Sequence, residues 1–154
     1  MLEKIDLLDF ELENGTHKQK ISLFYQVFGP SIGTAQVVLV NHALTGNSNV
    51  ASEKGWWDPI IGENKVIDTK VYTVIALNIP GNGYDGNPEN LQLDYQNFRA
   101  KDIAKLFWKG LSVLEIEKLF AVIGGSLGGG IAWEMVALKP KSIKNLIPIA
   151  TDWK

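Results

Sequence analysis

Apolar residues along this chain fall into short runs separated by polar, Gly-rich connections, and the runs change character from one end to the other. Two strand-like segments, DLLDFEL (6–12) and KISLFYQVFG (20–29), flank ENGTHK, whose Asn14-Gly15 pair suits a tight turn between antiparallel strands. The pattern predicts an opening hairpin, with His17 solvated in its turn. AQVVLVNHA (35–43) and VYTVIALNIPG (71–81) lack polar alternation and are rich in β-branched residues, as strands buried on both faces of a parallel sheet are. The 44–68 connection between them predicts only a short helical turn near GWWDPII. From Tyr95 to Ile116, Phe98, Ile103, Phe107, Leu111 and Leu114 recur at helical spacing beside a charged face, which predicts an amphipathic helix. KLFAVIGG (118–125) then reads as a third buried strand, LGGGIAWEMVALKP (127–140) as a helix ended by Pro140, and IKNLIPIATDW (143–153) as a fourth strand.

Strands alternating with helices in this order imply right-handed βαβ units, so the fold class is α/β: a mostly parallel sheet preceded by an antiparallel hairpin. Residues 1–154 show no repeat or linker and read as a single domain. The formal charge is −2, from 15 Lys+Arg against 17 Asp+Glu scattered along the chain, which argues against nucleic acid or an anionic membrane as partner. With no cysteine, disulfides, thiolate metal sites and a cysteine nucleophile are excluded, and two histidines far from suitable carboxylates give no metal site. The longest apolar runs are well short of the roughly 18 residues of a membrane span, and the N-terminus lacks a secretory pattern, so the default location is the cytoplasm.

Gly124-Gly125-Ser126-Leu127-Gly128 matches G-x-S-x-G with a buried strand before it and a helix after it, the context a nucleophile elbow requires. A serine on so sharp a strand-to-helix turn has a strained backbone, and side chains two residues to either side would collide with the neighbouring elements. Ser126 is therefore the candidate nucleophile, and the Leu127 N–H faces the place where an acyl oxygen would gain charge. A Gly-rich turn before a helix can also cradle phosphate, but no G-x-x-x-x-G-K-[ST] is present and the turn comes late in the chain. NHALTGNSN (41–49) follows an earlier parallel strand, where such architectures place a second oxyanion donor; Leu44 is the candidate, with Ala43 next. His42 lies on the oxyanion side and precedes the serine, so it reads as orienting this loop rather than as the catalytic base.

LVNHALTGNS (39–48), GWWDPIIGENKVIDTKVYTVIALNIPG (55–81) and AVIGGSLGGGIAWEMVALKP (121–140) together resemble the homoserine O-acetyltransferase family of α/β-hydrolase-fold acyltransferases. The resemblance implies acetyl transfer from acetyl-CoA to the hydroxyl of L-homoserine in methionine biosynthesis, through an acetyl-serine enzyme and with no tightly bound cofactor. Ser126 matches the family's nucleophile, and Leu44 and Leu127 its oxyanion backbone positions. Trp56, Trp57 and Asp58 match a loop that supports the site, with simple aromatic packing an equal alternative. Where the family carries T-x-R-D before the elbow strand, this chain has Arg99-Ala100-Lys101-Asp102. That makes Lys101, like Ala43, a substrate-site candidate that bears on acyl donor and acceptor choice.

In this fold the triad runs serine, acid, histidine along the chain, yet no histidine follows Ser126. Asp152 is a poor triad acid with no base to orient. The expectation is therefore an α/β-hydrolase domain truncated after the strand that follows the elbow helix, from a shortened gene or a proteolytic product, and inactive by itself. It would be a homodimer when full length, and as a fragment could self-associate through an open sheet edge. Two alternatives compete: a serine esterase on the same elbow, and a non-catalytic remnant or assembly module.

Overall fold

β1 (Glu3–Glu11) and β2 (His17–Phe28) form the opening antiparallel hairpin, with Ile5 opposite Leu23 and Leu7 opposite Ile21. Because side chains alternate across a strand, this register turns Ile5, Leu7, Ile21 and Leu23 into one buried face. The computed structural model describes residues 1–152. His17 opens β2 instead of lying in the turn, and it remains exposed, 3.8 Å from the Asp9 carboxylate.

The remaining strands of the main sheet are β3 (Gln36–Asn41), β6 (Tyr72–Leu77), β7 (Leu119–Gly125) and β8 (Ile143–Ile149). They assemble in the order β1-β2-β6-β3-β7-β8. β2 meets β6 antiparallel, while β3 is parallel to both β6 and β7, and β7 is parallel to β8. Two crossovers carry helices, α1 (Ala100–Val113) between β6 and β7 and α2 (Leu127–Leu138) between β7 and β8. The chain is thus a mixed α/β sheet with a parallel centre and an antiparallel hairpin at one edge.

Alternation along the central strands divides the core in two. Leu39, Ile75, Leu77 and Val122 pack with Phe107, Leu111, Ile131 and Met135 beneath the two helices. Val38, Val40, Val74, Ala76 and Ile123 point to the other face, which the 42–71 connection covers with Val50, Ile61, Trp56 and Trp57. That connection is not helical. The GWWDPII segment forms successive turns, with the Asp58 N–H donating to Gly55 O at 3.1 Å and the Ile61 N–H to Trp57 O at 2.9 Å. A two-stranded ribbon of β4 (Ile61–Gly62) and β5 (Ile67–Asp68) follows.

The helix expected over 95–116 begins only at Ala100. Tyr95–Asn97 is a single 3₁₀ turn and Phe98 is extended, because the buried Asp102 carboxylate fixes the helix start. It accepts the Arg99 N–H at 2.9 Å and, across the fold, the Glu13 N–H at 2.7 Å. The helix ends at Val113, two residues before Glu115 turns left-handed at φ 59°. β8 likewise stops at Ile149, where Ala150 has φ 48°; Trp153, placed in that strand from the sequence, lies outside the described residues. β8 forms one edge of the sheet, with Ile147 and Ile149 each 42% exposed. Among the described residues no helix is long and apolar enough to cross a membrane.

Candidate active site

Ser126 sits between β7 and α2 at φ 51° and ψ −121°, a conformation that L-residues rarely adopt and that stores backbone strain. Its neighbours explain how the strain is tolerated. A Cβ on Gly124 would lie 2.3 Å from Gly128 O, and a Cβ on Gly128 would lie 2.3 Å from Asn41 O, so both positions exclude any side chain. The Ser126 N–H donates to Ile149 O at 2.9 Å, and its carbonyl accepts the Gly129 N–H at 2.9 Å as the first turn of α2 closes. The side chain is left exposed at the C-terminal edge of the parallel strands. Leu127 is the first residue of α2, so its N–H is one of the donors a helix cannot use internally, and the helix dipole adds positive potential there.

The second candidate donor lies in the loop after β3. His42 is buried and has both ring nitrogens engaged: Nε2 accepts the Ile79 N–H at 3.0 Å, and Nδ1 lies 2.6 Å from Ala43 O. Since a backbone N–H can only donate, Nε2 is the acceptor and Nδ1 carries the proton, which makes the ring neutral. Burial pushes its pKa below the usual histidine value, with the Ala43 bond opposing in part. Thus His42 braces the loop and has no nitrogen left to take a proton from Ser126. The Ala43 carbonyl also accepts the Gly46 N–H at 2.9 Å, closing the turn that presents Leu44, itself 73% exposed.

A buried polar network anchors the far end of the same loop. Ser48 Oγ donates to Gln26 Oε1 at 2.8 Å and accepts from Asn78 Nδ2 at 2.9 Å, while the Ser48 N–H donates to Asn78 Oδ1 at 2.8 Å. Asn82 Nδ2 donates to the same Asn78 oxygen at 3.0 Å. The loop after β3 is therefore tied to β2 and to the loop after β6. None of Gln26, Ser48 or Asn78 stands out in the sequence as a site residue; the available signal is a polar residue inside or beside an otherwise apolar strand.

Trp56 Nε1 donates to Asn47 O at 2.9 Å, and its ring lies 4.5 Å from that of Trp57, so these residues both support the loop and pack on the sheet. The Asp58 backbone carbonyl accepts from Lys65 Nζ. Leu44 and Leu127 come together as walls of one apolar cavity of about 150 Å³, completed by residues after β6 and at the start of α1. Lys101 is not brought to it. Its ammonium is 3.0 Å from Glu13, which Lys105 also contacts, so Lys101 ties α1 to the hairpin. Among the described residues no three His, Asp or Glu side chains gather as metal ligands.

Residues 36–154 match the family described as the alpha/beta hydrolase fold. The homoserine O-acetyltransferase of Deferribacter desulfuricans is 35% identical over 162 aligned positions, covering 93% of this chain and 42% of the relative. That of Methanohalobium evestigatum is 36% identical, covering 91% of this chain and 32% of the relative. Among solved structures, the homoserine O-acetyltransferase from Bacillus anthracis superposes with a TM-score of 0.86 at 26% identity, covering 99% of this chain and 47% of that one. An acetylester hydrolase from Corynebacterium glutamicum gives 0.84 at 25% identity, covering 100% and 45% respectively. The chain therefore spans less than half the length of these relatives.

Proposed function

This chain belongs to the alpha/beta hydrolase fold family, and from that membership we propose that it carries the nucleophilic part of a homoserine O-acetyltransferase. The observation that carries the reading is the Ser126 elbow, an exposed serine in a strained backbone between β7 and α2, in a chain similar to homoserine O-acetyltransferases along nearly all of its length. Ser126 Oγ attacks the thioester carbonyl of acetyl-CoA while a base takes its proton. The Leu127 and Leu44 N–H groups stabilise the oxyanion, the C–S bond breaks, and CoA leaves as the thiol. The homoserine hydroxyl then attacks the acetyl-serine, passing its proton back through the base, and Ser126 is regenerated as O-acetylhomoserine departs.

The base is not one of this chain's histidines. His42 is held neutral with both nitrogens engaged, and His17 lies on the exposed hairpin. The reading therefore requires a base that these residues do not supply, and without it Ser126 in the isolated 154 residues should acylate no faster than an ordinary surface serine.

A serine esterase is the second reading, favoured by the likeness to the acetylester hydrolase structure. Both share the acyl-enzyme and differ in its fate. The test is to incubate the full-length protein with acetyl-CoA, with and without homoserine, and follow CoA release together with O-acetylhomoserine by mass. Homoserine-dependent release supports the transferase; steady release indifferent to homoserine overturns it in favour of the hydrolase.

A further inference from the structure

We propose that the cavity walled by the two oxyanion residues is an acyl-chain subsite, and that it takes uncharged linear acyl groups longer than acetyl while excluding an acyl group that ends in a carboxylate. The inference rests on the acyl-serine reading above and adds to it what the acyl group can be.

Position makes the first argument. Leu44 and Leu127, whose N–H groups would hold the acyl oxygen, both contribute wall to this cavity, so a chain attached to that carbonyl has the cavity beside it. Size makes the second. The cavity of about 150 Å³ is many times the roughly 10–15 Å³ needed to hold one water-sized group, and more than an acetyl fills. Lining makes the third. Ile79, Pro80, Phe98 and Ile103 supply the rest of the wall with Tyr95 and Ala100, and none of these residues carries a carboxylate or a cation.

Lys18, Lys101 and Lys105 are committed elsewhere. Lys18 Nζ lies 2.5 Å from Asp94 and 5.7 Å from the centroid of the Phe98 ring, outside the wall. Lys101 and Lys105 both contact Glu13. Arg99 is exposed at the start of α1 and does not line the cavity. A terminal carboxylate entering this space would lose part of its water and gain no partner, which is unfavourable, whereas each further methylene gains some apolar burial.

The test uses the full-length protein and p-nitrophenyl acetate, butyrate, hexanoate and monosuccinate as donors, with acylation of Ser126 read by intact mass. Butyrate should react within about threefold of acetate, and monosuccinate at least tenfold more slowly. Ala100→Leu, which fills the cavity, should lower the butyrate-to-acetate ratio about tenfold, and Phe98→Ala, which enlarges it, should raise the hexanoate-to-acetate ratio. Binding is read independently from the methyl NMR signals of Leu44, Ile79, Ile103 and Leu127, which also report whether each variant is folded. Butyramide should shift them in the parent and not in Ala100→Leu, and succinamate should leave them in place. Acylation of Ser126 that is indifferent to chain length, terminal charge and both variants overturns the subsite while leaving the acyl-serine reading intact. Methyl shifts with butyramide but an unacylated Ser126 overturn the acyl-serine reading, and the acyl assignment with it.

Discussion

His42 Nε2 accepts the Ile79 backbone N–H at 3.0 Å, a bond that joins the loop after β3 to the loop after β6 and exists only while the imidazole is neutral there. Burial depresses the folded-state pKa below the ordinary value near 6.5. The unfolded chain therefore takes up a proton first as pH falls. The stabilisation from neutral His42 is complete above about pH 6.5 and is lost as pH drops from there through the lower folded pKa. Thermal unfolding between pH 8 and 5 should show Tm falling below about 6.5, and His42→Gln should flatten that limb. An unchanged slope in the variant would assign the acid sensitivity to other groups.

Glycines two residues apart in α2 should respond to alanine in opposite directions. At Gly128 a Cβ would sit 2.3 Å from Asn41 O and 2.6 Å from His42 O, both backbone atoms of β3 and its loop. Relief would require moving α2 away from the sheet, so Gly128→Ala should destabilise by about 3 kcal/mol or more. At Gly130 the nearest atom is Thr151 Oγ1 at 3.9 Å, and the residue is inside the helix. Gly130→Ala should stabilise by about 0.5–1 kcal/mol through helix propensity. Urea unfolding of the two variants checks both signs.

The contrast between these glycines marks what the sequence makes legible. A serine between Gly124 and Gly128, after a buried strand and before a helix, points to an elbow because the steric requirement is local. Strand burial on both faces is legible for the same reason, since VVLV and VYTVIAL have no polar face to offer water. Pairings between distant residues are not. Asp102 reads as one charged residue of an amphipathic helix, yet its carboxylate holds the Glu13 N–H, 89 positions away. Lys101 reads as a substrate contact from its place in a motif, and the structure turns it toward Glu13 instead. The helix boundary fails on the same ground: Phe98 has the right spacing, but the Asp102 cap starts the helix after it.

Ser126 should be more stable as glycine. Its φ of 51° and ψ of −121° impose strain of about 1–3 kcal/mol on an L-residue, while glycine adds about 0.5–1 kcal/mol of unfolded-state entropy in the opposite direction. Ser126→Gly should therefore gain up to about 2 kcal/mol in chemical unfolding and lose acylation entirely. Equal or lower stability would mean that the elbow carries no strain.

Asp102→Ala removes the acceptor for two backbone donors at once, the Arg99 N–H at 2.9 Å and the Glu13 N–H at 2.7 Å. The side chain is fully buried, so water does not readily replace it. Loss of two charge-assisted bonds predicts destabilisation of about 3 kcal/mol. Asp102→Asn keeps one carboxamide oxygen and should recover part of that, with faster amide exchange at whichever of Glu13 and Arg99 loses its partner.

Ser48→Ala tests whether the buried network positions the oxyanion loop or only packs beneath it. Removing the hydroxyl leaves Gln26 Oε1 without its donor and Asn78 Nδ2 without its acceptor, while the Ser48 N–H keeps its bond to Asn78 Oδ1. Two buried groups left unpaired should destabilise the fold by about 1–3 kcal/mol. A purely packing role would spread that loss over the whole molecule. A positioning role concentrates it, because the loop from His42 to Ser48 is held at one end by His42 and at the other by this network. Amide exchange at Leu44 and Gly46 should then rise at least tenfold more than exchange in β7, and Ser48→Thr, which restores a hydroxyl, should reverse most of the difference. Uniform acceleration across the sheet and the loop would assign the network to packing alone.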